Sequence, residues 1–203
     1  MKTAAWLQRH QRDTYVKQAQ QQRYCSRAAF KLLEIAATTR LFHRVQTILD
    51  LGAAPGSWSQ VAARQAPGAK IIAIDLLPIA PTPGVITLQG NLFEDTTWKQ
   101  IDTHTGGRPI DLILSDMAPN LSGIKAVDEA RSQVIYELLL KLACTRLARA
   151  NGALVGKFFP GAGAQNMRKQ IARYFVHSKI IKPAASRSES SESYLWAKTI
   201  AKR

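Results

Sequence analysis

The sequence predicts an α/β fold in which a mostly parallel seven-stranded sheet has helices on both faces and ends in an antiparallel C-terminal hairpin. Three observations support this prediction. Apolar segments of strand length alternate with helical segments through the middle of the chain, as is typical of parallel βαβ units. A turn of small residues, 52–56, follows the first of these strands. The last two predicted strands have only a short connection, which favours antiparallel pairing.

The elements follow in order from apolar periodicity and from the turn residues that separate the segments. Strands are predicted at residues 46–51, 70–75, 85–89, 110–115, 153–158, 174–181 and 194–201. Helices are predicted at residues 11–22, 27–38, 58–65, 92–104, 130–147 and 165–172. Because 203 residues suffice for one sizeable core, we expect a single domain, with residues 1–44 as a basic helical extension and residues 45–203 as the core.

Composition excludes several classes of protein. No apolar run approaches the ~20 residues of a membrane-spanning helix, and the N-terminus has no continuous apolar stretch typical of a secretory signal. The two cysteines, Cys25 and Cys144, stand in unrelated contexts and indicate neither a disulfide framework nor a metal site. We therefore expect a cytoplasmic protein without a metal. The sequence leaves the oligomeric state open, with a monomer as the expectation.

The net charge of the chain, formally +14, is concentrated at its two ends. Residues 1–44 contain nine Lys and Arg against two acidic residues, and residues 168–203 contain the same numbers. The ten basic and ten acidic residues between them cancel. Concentrated positive charge of this kind is typical of a protein that binds a phosphate backbone, which predicts an N-terminal extension that faces a nucleic acid. A solvated charged face is the alternative.

The turn between the first core strand and the next helix is the most informative segment. The residues from Gly52 to Gly56 have almost no side-chain bulk, so backbone amides there can approach a ligand closely. Asp75 ends the following strand, 23 positions after Gly52, where a Rossmann-like unit holds the ribose hydroxyls of a nucleoside. The alternative is a turn between strand and helix in which the small residues serve close packing and bind no nucleoside.

The chemistry of this turn argues against a dinucleotide. Ala54 and Ser57 occupy the second and third glycine positions of the usual G-x-G-x-x-G pattern, and Pro55 has no amide hydrogen for a phosphate. Asp50, just before the turn, suits a cationic ligand better than an anionic one. S-adenosylmethionine satisfies these conditions, because it contains an adenosine and a sulfonium cation but no phosphate.

Five motifs extend the argument to most of the chain. They are DLGAAPGSWSQ, IIAIDLLP, LILSDMAPNLSG, VGKFFPG and SESYLWA. In this order and spacing the sequence resembles FtsJ/RrmJ-type ribosomal RNA 2′-O-methyltransferases, from about Asp13 to Ala197. The resemblance implies a Rossmann-like S-adenosylmethionine-dependent methyltransferase fold. It also implies a target, the ribose of a uridine in 23S ribosomal RNA of the large ribosomal subunit.

The resemblance further implies the site residues. By the motifs around them, the residues that match the family's Lys-Asp-Lys-Glu tetrad are Lys31, Asp116, Lys157 and Glu192. The implied contacts to the cofactor come from Gly56, Trp58, Asp75, Asn91 and Asp116. Glu192 lies near the end of a segment of small polar residues, 183–193, that we interpret as a loop beside the substrate.

Two positions depart from the family pattern. Asn91 stands where an acid is usual, and Ser57 stands where a second glycine is usual. An amide oxygen can still accept a hydrogen bond from an adenine amino group, so we expect cofactor binding that is at most weakened or retuned. Alternatively, Asn91 caps a loop. Trp58 also has two interpretations, since it either closes the cofactor pocket or belongs to the core.

Catalytic side chains in open parallel sheets lie at the carboxyl ends of strands, where Asp50, Asp75, Asp116 and Lys157 all fall. A lysine is seldom buried after an apolar strand without a function, which singles out Lys157. A lysine accepts the proton of a ribose hydroxyl only if its pKa falls, an effect that a second cation such as Lys31 can have. Lys157 otherwise orients the hydroxyl, and the sequence leaves both roles open.

Three alternative functions follow from the same features. The first is a methyltransferase that acts on another RNA, such as a transfer RNA or a cap. The second is a catalytically silent RNA-binding or ribosome-assembly factor that keeps the fold, although the complete tetrad argues against it. The third is an NAD-dependent oxidoreductase, against which the missing glycines argue.

Overall fold

The computed structural model describes residues 13–120, 122–159, 164–188 and 190–200. The strands within these residues are β1 (Thr47–Leu51), β2 (Lys70–Asp75), β3 (Val85–Gln89), β4 (Leu112–Ser115), β5 (Ala153–Phe158), β6 (Phe175–Ile181) and β7 (Ser193–Ile200). The helices are α1 (Thr14–Gln21), α2 (Ala28–Thr39), α3 (Ser57–Gln65), α4 (Asp95–Thr105), α5 (Lys125–Arg146) and α6 (Ala164–Tyr174).

These strands form one sheet in the order β3-β2-β1-β4-β5-β7-β6. The first five in this order are parallel neighbours, whereas β7 lies antiparallel between β5 and β6. β1, β4 and β5 are buried along their whole length, as continuous apolar strands in a covered sheet are expected to be. The predicted mostly parallel sheet with an antiparallel C-terminal hairpin is confirmed.

Helices cover both faces of the sheet. Successive residues of a strand point to opposite faces, so neighbouring residues of β1 pack against different helices. On one face, Ile48 of β1 belongs to the cluster that contains Leu32 of α2 and Val61 of α3. On the other face, Leu49 belongs to the cluster that contains Ile101 of α4 and residues of α5 and α6. The core therefore has two layers, one on each side of the sheet.

Several element boundaries differ from the prediction, most of them by one or two residues. β4 begins two residues later than expected, because Ile110 forms an isolated bridge with Leu147 instead. α4 begins three residues later, since residues 91–94 form a turn. α5 begins five residues earlier, and the carboxylate of Asp128 in its first turn accepts a 2.7 Å hydrogen bond from the Ser122 amide before the helix. The first turn of α5 contains charged residues and has no apolar stripe, so the apolar periodicity of the sequence does not indicate the start of this helix.

The predicted N-terminal helix is present as α1, with Val16 and Ala19 buried. Residues 11 and 12 of that prediction, and residue 201 of the last predicted strand, lie outside the described residues. Ser26 precedes α2, and its hydroxyl accepts a 3.2 Å hydrogen bond from the Ala28 amide. None of the helices in the described ranges has both the length and the apolar character needed to cross a membrane.

Candidate active site

Four charged side chains meet at the carboxyl edge of the sheet. Lys157 lies in β5, Asp116 follows β4, Glu192 precedes β7 and Lys31 comes from α2. The Lys157 ammonium lies 2.8 Å from Asp116 Oδ1 and 3.6 Å from Glu192 Oε2. The Lys31 ammonium lies 2.5 Å from Glu192 Oε1. The four side chains therefore form one chain of alternating charge, which we call the tetrad.

The charges of the tetrad are largely shielded from water. The exposed fractions of the side chains are 11% for Lys31, 9% for Lys157 and 10% for Glu192. Burial alone would raise the pKa of Glu192. The hydrogen bond and charge of Lys31, together with the charge of Lys157, outweigh burial and hold the pKa of Glu192 below its usual value. Glu192 is therefore ionised at neutral pH and holds both lysines.

Tyr194 contacts the tetrad, although sequence reasoning did not select it. Its hydroxyl donates a 2.7 Å hydrogen bond to Asp116 Oδ1, the atom that also contacts Lys157. The Lys31 ammonium lies 5.8 Å from the centroid of the buried Tyr194 ring. Burial, with the charges of Asp116 and Glu192, raises the pKa of Tyr194, so the hydroxyl remains a donor. The available signal was its position in the SESYLWA motif, two residues after Glu192.

The turn after β1 is tied to the end of β2. The two carboxylate oxygens of Asp75 accept 2.9 Å hydrogen bonds from the amides of Ala54 and Leu77. A carboxylate has about four acceptor positions, so Asp75 retains acceptor capacity for a ligand hydroxyl. Gly56, with a φ of 112°, precedes α3 in a conformation that side-chain-bearing residues rarely adopt. Asp75 thus holds the turn after β1 against the end of β2.

A cavity of about 140 Å³ is lined by this turn and, from the tetrad, by Asp116. The residues that line it include Ser26, Asp50, Gly52, Ser57, Trp58 and Asp116. Two of these residues are acidic, so the chemistry of the wall favours a cation. No group of three or more His, Cys, Asp or Glu side chains in the described ranges is placed to hold a metal ion.

Asp50 is the most deeply buried acid of this wall, with 1% exposure. Burial raises the pKa of Asp50 to about 7, and the negative charges of Asp116 and Asp75 add to the effect. The hydroxyl of Ser59 opposes it by donating a 2.6 Å hydrogen bond to Asp50 Oδ2. Near neutral pH the carboxyl group is therefore poised between its two protonation states, and a cation in the cavity would favour the ionised one.

Trp58 fits both of its interpretations. It is 3% exposed, and its ring packs against Tyr194 with centroids 5.5 Å apart, yet it also lines the cavity. Its indole N–H donates a 2.9 Å hydrogen bond to the Ala28 carbonyl. The neighbouring Ser57 hydroxyl lies 2.7 Å from that of Ser26. The residue that replaces the family's glycine thus joins α3 to the segment before α2.

Asn91 lies near Asp75 but is engaged locally. The Gly90 amide donates a 2.9 Å hydrogen bond to the Asp75 carbonyl, which holds the end of β3 against β2. The amide oxygen of Asn91 accepts a 3.1 Å hydrogen bond from Phe93, and its amino group donates to Glu94 at 3.3 Å. This geometry matches the loop-capping interpretation of Asn91.

Comparisons with known proteins agree with this fold and show the family of the chain. The profile of the FtsJ-like methyltransferase family matches residues 24–200. The chain is 45% identical to a protein of Bordetella pertussis named ribosomal RNA large subunit methyltransferase E, over 96% of this chain and 95% of the relative. A protein of the same name from Thiobacillus denitrificans is 46% identical, over 95% of this chain and 87% of the relative.

Two solved structures have similar folds. One, described as a ribosomal RNA methyltransferase of Plasmodium falciparum, has a TM-score of 0.79 at 27% identity and covers 89% of this chain and 100% of its own. The other, a fibrillarin pre-rRNA processing protein of Methanococcus jannaschii, has a TM-score of 0.52 at 16% identity, over 80% of this chain and 70% of its own. The second likeness concerns the fold alone. The predicted Rossmann-like methyltransferase fold is confirmed.

Proposed function

This chain belongs to the FtsJ-like methyltransferase family, and we propose that it methylates the ribose 2′-hydroxyl of a uridine in 23S ribosomal RNA with S-adenosylmethionine. The observation that carries the proposal is the tetrad beside an acidic cavity. The names of the relatives direct the proposal to RNA of the large ribosomal subunit. The partner would be this RNA or a precursor of the large subunit, in the cytoplasm.

The residues around the cavity fit S-adenosylmethionine, which supplies a methyl group activated by a positive sulfur. Asp50 and Asp116 would balance the charges of the sulfonium and amino groups, because both line the same small cavity. Asp75 would hold the ribose hydroxyls of the cofactor beside the turn. Further contacts are proposed for Gly56, Trp58 and Asn91.

Lys157 is held as a directed donor. Its ammonium lies 2.8 Å from Asp116 Oδ1 and donates a 3.1 Å hydrogen bond to the Asp116 carbonyl. An ammonium has three hydrogens, and Glu192 at 3.6 Å is too distant for a good hydrogen bond to the third. That hydrogen is available to a ribose oxygen. Holding the acceptor in line with the methyl group provides a large part of the rate enhancement in such reactions.

The position of Lys31 favours orientation over proton abstraction as the role of Lys157. The sequence-based expectation was a second cation that acts directly on Lys157. In the structure the Lys31 ammonium instead contacts Glu192, which stands between the two lysines. We therefore assign Lys157 the orienting role, with the hydroxyl proton released to water as the methyl group is transferred.

Exposed basic residues near both ends of the chain support an RNA-binding surface. In the described part of the chain they include Arg23, which precedes α2, and Lys182 and Arg187 in the loop between β6 and β7. Both sets flank segments that reach the tetrad, since α2 contains Lys31 and the loop before β7 contains Glu192. An RNA bound to these charges would pass beside the cavity.

The test replaces the central lysine. Lys157→Ala is expected to lower the rate of methyl transfer to ribosomal RNA by roughly a hundredfold or more, because the acceptor oxygen loses its fixed donor. Radiolabelled cofactor measures the rate, while calorimetry and filter binding measure cofactor and RNA affinity, which should change little. Lys157→Arg is expected to fail as well, because guanidinium has a different shape. Lys141→Ala, on the exposed face of α5, is the matched control.

A folded Lys157→Ala variant with a rate within a few-fold of wild type would contradict the mechanism. The substrate is tested separately, by mapping 2′-O-methyl groups on RNA from cells with and without this protein. Loss of a methyl group from a transfer RNA or a cap instead would replace the proposed substrate. Absence of methyl transfer by the wild-type protein would favour the silent RNA-binding alternative.

A further inference from the structure

One face of α2 contacts both ends of the loop that connects β6 to β7. At the end of the loop, Glu192 pairs with Lys31 at 2.5 Å. At its start, the carboxylate of Glu34 accepts hydrogen bonds from the backbone amides of Ala184 at 2.6 Å and Ala185 at 3.0 Å. Residues three positions apart lie on the same side of a helix. Lys31 and Glu34 therefore hold the two ends of one loop from neighbouring positions.

The start of this loop is packed as well as hydrogen-bonded. Ala185 has no exposed surface and belongs to a small apolar cluster with Ala19 of α1 and Phe30 of α2. The guanidinium of Arg27 donates a 2.5 Å hydrogen bond to the Ala185 carbonyl. Both backbone groups of Ala185 are thus bonded to α2 or to the residue before it. Such anchoring removes much of the conformational freedom that a loop of small polar residues would otherwise have.

We propose that Glu34 is a positioning residue of the active site, which fixes the start of the loop so that its end presents Glu192 to both lysines. The catalytic consequence rests on the proposed function, whereas the anchoring does not. Glu34 is not among the residues that line the cavity. Its loss is therefore expected to lower kcat and to leave the KM for S-adenosylmethionine nearly unchanged.

A displacement of Glu192 can be measured, because the charges that face this residue set its pKa. They are Lys31 of α2 and Lys157 of β5, which hold the pKa of Glu192 below its usual value. The other ionisable groups beside them are Asp116, which contacts Lys157, and Tyr194, whose hydroxyl contacts Asp116 and whose ring faces Lys31. If the loop loosens, Glu192 loses part of the two cationic contacts and its pKa rises. The acidic limb of the kcat–pH profile is then expected to move to higher pH, which a uniform loss of folded protein would not cause.

The experiment compares Glu34→Ala and Glu34→Gln with wild type. Glu34→Ala is expected to lower kcat by about tenfold to a hundredfold, because a displaced catalytic group is costly. Glu34→Gln keeps one acceptor oxygen but turns an amino group toward the other backbone amide, so an intermediate loss is expected. The matched control is Glu137→Ala, an exposed glutamate of α5 whose carboxylate accepts a hydrogen bond from the Gln133 side chain.

Amide hydrogen exchange provides a readout that does not depend on activity. Exchange of the backbone amides of residues 184–188 should become faster in Glu34→Ala and less so in Glu34→Gln, with no change in Glu137→Ala. Unchanged exchange in both Glu34 variants, or an unmoved acidic limb with a normal kcat, would overturn the proposal. If Glu34→Ala does not fold, Glu34→Gln decides by the same two readouts. A wild-type protein that methylates no ribosomal RNA would refute the proposed function and leave the exchange comparison intact.

Discussion

Asp50→Asn gives a test of the cavity that can be worked out from the structure. The Asp50 carboxyl group is buried near the end of β1, and burial raises its pKa from 3.8 to about 7. Between these two values the folded protein binds one more proton at this site than the unfolded chain. The contribution of Asp50 to the free energy of unfolding is therefore greatest at low pH, and it falls as the pH rises toward the pKa of the folded state.

The size of the effect follows from the shift. Each pKa unit corresponds to about 1.4 kcal/mol, so a rise of about three units removes about 4 kcal/mol from the free energy of unfolding between acidic and neutral pH. Asparagine cannot ionise, and its amide oxygen can still accept the hydrogen bond from Ser59. The free energy of unfolding of the variant, measured relative to that of wild type, should therefore be up to about 4 kcal/mol larger at pH 8 than at pH 4.

Urea denaturation of both proteins at several pH values measures this difference, and the other titrating groups cancel in the comparison. A stability difference that does not change between pH 4 and pH 8 would refute the reasoning. The same carboxylate should favour a cationic ligand, so Asp50→Asn is expected to bind S-adenosylmethionine more weakly at pH 8. Calorimetry of wild type at pH 6 in two buffers of different ionisation enthalpy should detect proton release on binding.

Two further predictions concern the cofactor and the RNA. Asp75→Ala should weaken cofactor binding by roughly tenfold or more in calorimetry, since a charge-assisted hydrogen bond contributes about 1.5–3 kcal/mol; unchanged affinity would remove Asp75 from the site. RNA affinity should fall steeply with salt because bound counterions are released. Deleting residues 1–12, which contain three basic residues, should reduce that slope and leave cofactor affinity unchanged, whereas an unaltered slope would exclude these residues from the RNA contact.

Local patterns in the sequence determined the sheet and the kinds of residue in the site. The predicted bounds of β2, β3 and β5 match the structure to the residue. This agreement arises because the side-chain period of a strand is a property of neighbouring residues. The four tetrad residues could also be named, although by resemblance to a family, since spacing alone did not distinguish Lys31 from an ordinary surface lysine.

The tertiary structure decided which of these residues touch and how they are charged. The Tyr194 hydroxyl reaches Asp116 across 78 positions of sequence, and the Glu34 carboxylate reaches the Ala184 amide across 150. The raised pKa of Asp50 depends on burial by several elements together. Periodicity extends over a few residues and contains no information about distant partners. Only the strand order β4-β5-β7, with α2 packed beside it, brings these groups within hydrogen-bonding distance.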